Sequence, residues 1–131
     1  MTAGKRRVLI VEDSPAMRQL LSLAIQRVPG VSIDEAGDGV AALRALKVAV
    51  HNPYDLVILD LNMPVMDGMK LLGKMREDPA AAAATTIAVV TTSENPEIER
   101  QARLLGAKYF VKKPVNRRAV EKILADVFGP H

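Results

Sequence analysis

Val8-Leu9-Ile10-Val11-Glu12-Asp13-Ser14-Pro15 runs from four apolar residues through two carboxylates into a helix start. The apolar four are rich in β-branched residues and do not alternate with polar ones, the pattern of a strand buried on both faces. Ser14-Pro15 is a cap and first-turn pair, and Met17, Leu20, Leu21, Ala24 and Val28 follow at helical spacing until Pro29-Gly30 stops them. The same kind of apolar run recurs at Leu56-Val57-Ile58-Leu59 and Ile87-Ala88-Val89-Val90. Val31–Ala36 and Tyr109–Lys112 are weaker strands whose mixed polarity suits the sheet edges. Further helices start at Asp38-Gly39 (Val40, Leu43, Leu46 and Val50 on one side) and near Asp67-Gly68, with Leu71, Leu72 and Met75 inward. Asn95-Pro96 starts a fourth with Ile98, Ala102 and Leu105 in line, and Gly106 ends it. Asn116 starts the fifth, with Ala119, Val120, Ile123, Leu124 and Val127 toward the core. Five strands alternating with five helices predict an α/β fold with a parallel sheet. Ala80–Ala84, after Pro79, buries little and reads as a connecting loop.

The 131 residues suit one domain, and 49% hydrophobic with 25% charged residues is an ordinary globular balance. The absence of cysteine excludes a disulfide scaffold, a thiolate zinc site and cysteine catalysis, and fits a reducing compartment. No apolar run is long enough for a membrane span, and the basic opening is followed by too few apolar residues for a signal peptide. A cytoplasmic location is the expectation. The net charge of +3 and pI of 9.4 raise nucleic acid as a candidate partner. Residues Pro96–Phe128 alone carry eight basic against four acidic side chains. A face of that sign favours acidic protein surfaces through electrostatic steering.

In open α/β sheets a ligand binds beyond the carboxyl ends of the strands, so the residue after each run is informative. The first strand delivers Glu12 and Asp13, the third Asp60, the fourth Thr91, Thr92 and Ser93, and the fifth Lys113 followed by Pro114. Carboxylates brought together repel, and a hard divalent cation relieves that. Oxygen ligands with no histidine or cysteine nearby suit Mg²⁺ rather than zinc. His51 lies in a helix–strand connection and His131 ends the chain.

From Val8 to Phe128 the chain resembles the receiver domain of two-component response regulators, the CheY-like superfamily. The motifs are Val11-Glu12-Asp13-Ser14, Asp60-Leu61-Asn62-Met63-Pro64-Val65-Met66-Asp67-Gly68, Val90-Thr91-Thr92-Ser93, Gly106-Ala107 and Lys112-Lys113-Pro114. The resemblance implies a doubly wound (βα)5 fold with strand order 2-1-3-4-5, in which Asp13 and Asp60 meet at the switch point. It further implies one receiver domain over residues 1–131, with a core at 7–128 and no output domain. Asp60 is then the phosphoacceptor, attacking a phosphohistidine on a sensor histidine kinase. Mg²⁺ is held by Asp13, Asp60 and the Asn62 backbone carbonyl, with Glu12 acting through water. Lys113 pairs with one phosphoryl oxygen and the Thr91 hydroxyl donates to another.

The resemblance also implies a cis peptide before Pro114 that aims Lys113 into the site. Lys112 competes for that role, but strand alternation sends only one of the two inward, and the following proline decides for Lys113. Thr91 and Phe110 form the switch pair, with Tyr109 facing the other way. Phe110 stands where many members carry tyrosine, and it lacks the hydroxyl. Thr92 replaces a usual alanine or glycine, and Asn62, Thr92 and Ser93 flank the site and tune how long the phosphoryl group survives.

The resemblance implies that a downstream target meets the face formed by the fourth helix, fifth strand and fifth helix. It also implies a protein that is not a conventional enzyme but catalyses its own aspartyl phosphorylation and dephosphorylation. A phosphorelay intermediate would share these features. A nucleic-acid module has the pI behind it but few aromatics and no room for a helix-turn-helix. A haloacid-dehalogenase-type phosphatase wants Asp-x-Asp, whereas Asn62 follows Asp60 here. A flavin carrier needs a phosphate cradle where Glu12-Asp13 would repel it.

Overall fold

The computed structural model describes residues 6–62 and 68–129. Among them, β1 (Arg6–Val11), β2 (Val31–Ala36), β3 (Leu56–Asp60), β4 (Thr86–Thr91) and β5 (Ala107–Lys112) form one parallel sheet in the order β2-β1-β3-β4-β5. The three apolar runs are the three central strands, and the two mixed ones are its edges, as their polarity predicted. Register places Val11 beside Leu59 and Asp60 beside Val90. The ends of β1, β3 and β4 therefore lie side by side, where the winding direction reverses between β1 and β3.

Helices cover both faces: α1 (Pro15–Ile25), α2 (Gly39–Val48), α3 (Gly68–Arg76), α4 (Pro79–Ala84), α5 (Pro96–Leu104) and α6 (Arg117–Phe128). One core packs Leu21, Ile25, Val120 and Leu124 of α1 and α6 against Val8, Ile10 and Ile58 of the sheet. The other packs Ala42, Leu71, Leu72 and Ala102 against Leu9, Val11, Leu59 and Val89. Alternate residues of β1 thus serve opposite cores, the reason its sequence is apolar throughout. Ser14, Asp38, Asn95 and Asn116 each accept a backbone N–H at the start of the helix they cap.

Several elements depart from the sequence reading. Ala80–Ala84 is helical, not a loop: α4 follows Asp78, whose carboxylate accepts the Ala80 N–H at 3.1 Å. Alanine's helix propensity, with proline in the first turn, suffices for this short piece packed beside α3. The helices expected fourth and fifth are consequently α5 and α6. α1 ends at Ile25, before Val28, because a residue preceding proline disfavours helical backbone; Val28 is still buried, in the turn beyond. In α2 the inward side is Ala42, with Leu43 and Leu46 half-buried, whereas Val40 is exposed; Val50, expected on the same helix, lies exposed in the 3-10 turn Ala49–His51 beyond its end. Small alanines let that helix lie close to the sheet and turn its valines outward. The start expected at Asp67, like the motif residues 63–67 and His131, lies outside the described residues.

The segment entering β3 carries a polar cluster. The Tyr54 hydroxyl donates to Asp34 Oδ2 at 2.6 Å, and the Arg7 guanidinium stacks 4.3 Å from the Tyr54 ring while pairing with Asp34 at 3.3 Å. Burial, followed by the Asp34 carboxylate, pushes the Tyr54 phenol up to about 12. The unfolded chain releases this proton near an ordinary phenol's value of about 10. The stabilisation is therefore complete below about pH 10 and lost as pH rises through about 12. It is worth on the order of 2 kcal/mol. In urea titrations of wild type and Tyr54→Phe between about pH 9 and 11, wild type loses stability more steeply. Parallel losses in the two proteins refute the assignment.

Candidate functional site

Each central strand ends by releasing a polar side chain at the same edge of the sheet. Asp60 closes β3 and is buried, Glu12 follows β1 and is buried, and Asp13 beside it is exposed. One carboxylate oxygen from each of Glu12, Asp13 and Asp60 lies within 4.8 Å of the others. Lys113, beyond β5, reaches over this group: its Nζ is 3.2 Å from Glu12 Oε1 and 3.2 Å from Asp60 Oδ2. The Lys113 N–H donates to the Thr91 carbonyl at 2.8 Å, and the Lys113–Pro114 peptide is cis. Lys112 points away and pairs with Glu94 on the surface. The two adjacent lysines thus point to different sides, with Lys113 in the bend just past the end of β5.

Thr91 is fully buried at the end of β4, and its hydroxyl accepts the Ser93 N–H at 3.1 Å and donates to Asn62 Oδ1 at 3.1 Å. Asn62 also gives its own N–H to Asp60 Oδ1 at 2.8 Å. Thr92 contributes its N–H and hydroxyl to Asn62 Oδ1, at 2.9 and 3.2 Å. Phe110 is half-buried against the core beneath α2, α3 and α5, while Tyr109 faces the other core and donates its hydroxyl to Asp126. The carboxylates, Lys113, Thr91 and Asn62 are therefore one connected group. Phe110 stands apart from it, three residues back along β5 from Lys113.

Two contributors escaped the sequence reading. Arg18, one turn into α1, donates from Nη1 to the Glu12 carbonyl at 2.7 Å and from Nε to Glu35 at 3.0 Å, fixing the loop that carries both acids. Nothing in its helical position distinguishes it from a solvated arginine. Gly68 opens α3 against the end of β3, where an added Cβ would lie 2.6 Å from Leu61 Cα and 2.7 Å from the Asp60 carbonyl oxygen. Its place in the Asp-Gly pair signals a turn but not this close approach.

Buried carboxylates this close repel. Burial first, and then the neighbouring Asp60 carboxyl, push Glu12 up to about 7 despite Lys113. For Lys113, burial pulls downward but the charges of Asp60 and Glu12 outweigh it, holding the ammonium above the usual lysine range. The contact between Lys113 and Asp60 Oδ2 is a charge contact without hydrogen-bond geometry. Among buried side-chain polar atoms of the described residues, that oxygen alone lacks a hydrogen-bond partner. An oxygen with free lone pairs, inside a cluster of hard carboxylate donors, fits a divalent cation.

The fold and the site together define a doubly wound α/β protein with an acidic, lysine-bridged centre at its topological switch point. The chain belongs to the response regulator receiver domain family, whose description matches residues 8–125. It is a CheY-like receiver, of a family built around a divalent-metal and phosphoacceptor centre. A relative named "Probable chemotaxis protein CheY" from Rhizobium etli is 35% identical over 127 residues, covering 97% of this chain and 95% of the relative. Chemotaxis response regulator CheY4 of Vibrio cholerae superposes with a TM-score of 0.80 at 32% identity, over 95% of this chain and 99% of that one. A chain in the CheX-CheY-BeF3-Mg complex of Borrelia burgdorferi gives a TM-score of 0.80 at 31% identity, over 94% and 89% of the two chains. Among the described residues no helix is long and apolar enough to cross a membrane.

Proposed function

We propose that this receiver is a switch that accepts a phosphoryl group from the phosphohistidine of a sensor histidine kinase onto Asp60. The observation carrying this reading is the Asp60 carboxylate itself: buried, 3.2 Å from the Lys113 ammonium, with one oxygen free of hydrogen bonds. An Asp60 oxygen attacks phosphorus while the phosphorus–nitrogen bond to the imidazole breaks, its electron pair staying on nitrogen. The product is an aspartyl phosphate. Lys113 balances charge on the transferred oxygens, and the Thr91 hydroxyl donates to one of them. Asp13, Asp60 and the Asn62 carbonyl would hold Mg²⁺, with Glu12 acting through water, and the bound ion would supply positive charge to neutralise those oxygens. Water reverses the state by attacking phosphorus and releasing inorganic phosphate, at a rate tuned by Asn62, Thr92 and Ser93. The chain acts on itself in both steps and is no conventional enzyme.

Thr91 and Phe110 carry the signal from the site to α5, β5 and α6, and a downstream protein reads that face in the cytoplasm. The exposed Leu104 and the Lys108 and Arg118 cations suit an acidic, partly apolar partner there. Half of this region's basic side chains sit in local ion pairs. Arg100, Arg103, Arg117 and Lys112 are paired with Glu97, Glu99, Glu121 and Glu94. Local pairing of this kind counts against a nucleic-acid backbone as the partner of this face.

Incubating the protein with acetyl phosphate and Mg²⁺, followed by intact mass, is the direct test. We expect the mass of one phosphoryl group to be gained, and no gain when the metal is chelated beforehand. A folded protein that gains nothing with metal present defeats the reading.

A further inference from the structure

Three donors converge on one oxygen beside Asp60. Asn62 Oδ1 receives the Thr92 N–H at 2.9 Å, the Thr91 hydroxyl at 3.1 Å and the Thr92 hydroxyl at 3.2 Å. The amide orientation follows from chemistry, because a backbone N–H can only donate and so must face the oxygen of the side-chain amide. The direction of the Thr91 proton follows as well. Its oxygen already accepts the Ser93 N–H, which leaves the hydroxyl proton for Asn62. A carbonyl oxygen offers two lone pairs, so three donors exceed what one amide can satisfy. Meanwhile the Asn62 N–H holds Asp60 Oδ1 at 2.8 Å, which keeps the converging donors within one short loop of that carboxylate.

A phosphoryl group attached to Asp60 would bring three strong acceptor oxygens to the same neighbourhood. We infer that the Asn62 side chain is an internal substitute for a phosphoryl oxygen. It occupies the Thr91 and Thr92 donors in the unphosphorylated protein and must leave before they can serve the phosphoryl group. This inference rests on Asp60 as the phosphoacceptor. It makes Asn62 a positioning residue that opposes phosphorylation, separate from any ligation by its backbone carbonyl. Removing the amide releases both threonines without opening a cavity, because Asn62 is exposed. The donors then wait on water, a weaker competitor than a tethered amide.

The test compares wild type, Asn62→Ala and Asn62→Asp with beryllofluoride as phosphoryl mimic at saturating Mg²⁺. Asn62→Ala is expected to bind beryllofluoride roughly three- to tenfold more tightly than wild type. In the free protein the Thr92 amide is expected to lose protection from hydrogen exchange in Asn62→Ala. It should regain that protection in Asn62→Asp, which restores an acceptor at the same place. A structural role alone would not yield that exchange pattern together with tighter binding. Asn62→Ser, too short to reach both threonines, serves as the second variant should Asn62→Ala not fold. Beryllofluoride binding no tighter than wild type in the folded variant overturns the inference, as does a Thr92 amide equally protected in all three proteins. If wild type binds Mg²⁺ yet neither it nor the variants bind beryllofluoride, the phosphoacceptor reading falls, and the inference with it.

Discussion

An Asp60→Asn protein is expected to gain no mass from acetyl phosphate and Mg²⁺, and its metal-free form to be more stable than wild type. The loss of uptake is complete because an amide has no anionic oxygen to attack phosphorus. The gain in stability comes from the same geometry. Asp60 is buried beside a buried Glu12, its Oδ2 has no hydrogen bond, and among the described residues Lys113 is the one cation paired with it. A neutral amide keeps an oxygen for the Asn62 N–H and can turn its NH2 toward Glu12. Lys113, already 3.2 Å from Glu12, then serves one carboxylate instead of two. Relief of a poorly compensated buried charge is worth about 1–2 kcal/mol here. Urea denaturation in the presence of chelator measures it. Equal or lower stability of Asp60→Asn would show that Lys113 already compensates the pair, and mass gain in the variant would remove Asp60 from the chemistry.

Gly68→Ala carries the second large effect, on stability and uptake together. The new Cβ would meet Leu61 Cα at 2.6 Å, the Asp60 carbonyl oxygen at 2.7 Å and Leu61 Cδ2 at 2.7 Å. Two of those atoms are backbone at the end of the central strand, and neither can swing aside as a side-chain tip can. Overpacking of this kind costs about 3 kcal/mol, and the unfolding temperature falls by roughly 10 °C. Any accommodation moves Asp60, the proposed phosphoacceptor, so phosphoryl uptake is expected to slow by roughly tenfold or more. Gly73, on the same helix, is the natural control, since nothing lies within 4 Å of its added Cβ. Gly73→Ala should gain up to about 1 kcal/mol from helix propensity. Thermal unfolding of the two variants side by side checks both values, and a Gly68→Ala protein that melts with wild type removes the close approach.

How far the sequence carries the reader depends on the range of the forces involved. Strand burial is a property of four or five consecutive residues, so Val8–Val11, Leu56–Leu59 and Ile87–Val90 announce the central strands without help. Caps are equally local: Ser14, Asp38, Asn95 and Asn116 each bond a backbone N–H two or three residues on. Helix faces proved less secure, because the distance between helix and sheet decides which residues turn inward. In α2 that distance favoured Ala42 and left Val40 and Val48 outside. The alanine run at Pro79–Ala84 misled for a related reason. Its residues bury little, but propensity and a cap from Asp78 still make a helix.

By itself, then, the sequence determined the order of elements, the sheet's three buried and two edge strands, and the chemistry delivered at each strand end. Those follow from periodicity and from the residue next in line, both of which are local. The tertiary structure decided what those ends do to one another. Placing β1 beside β3 brings Glu12 and Asp13 to Asp60, and Lys113, from the far end of the chain, bridges Glu12 and Asp60. The Asn62 amide binds residues about thirty positions away, Gly68 yields its side chain to the strand below α3, and neighbouring glutamates absorb half of the downstream basic charge. Such pairings join residues that only the folded chain makes neighbours. No local pattern records them, because the energy that holds them is spent between elements and not along one.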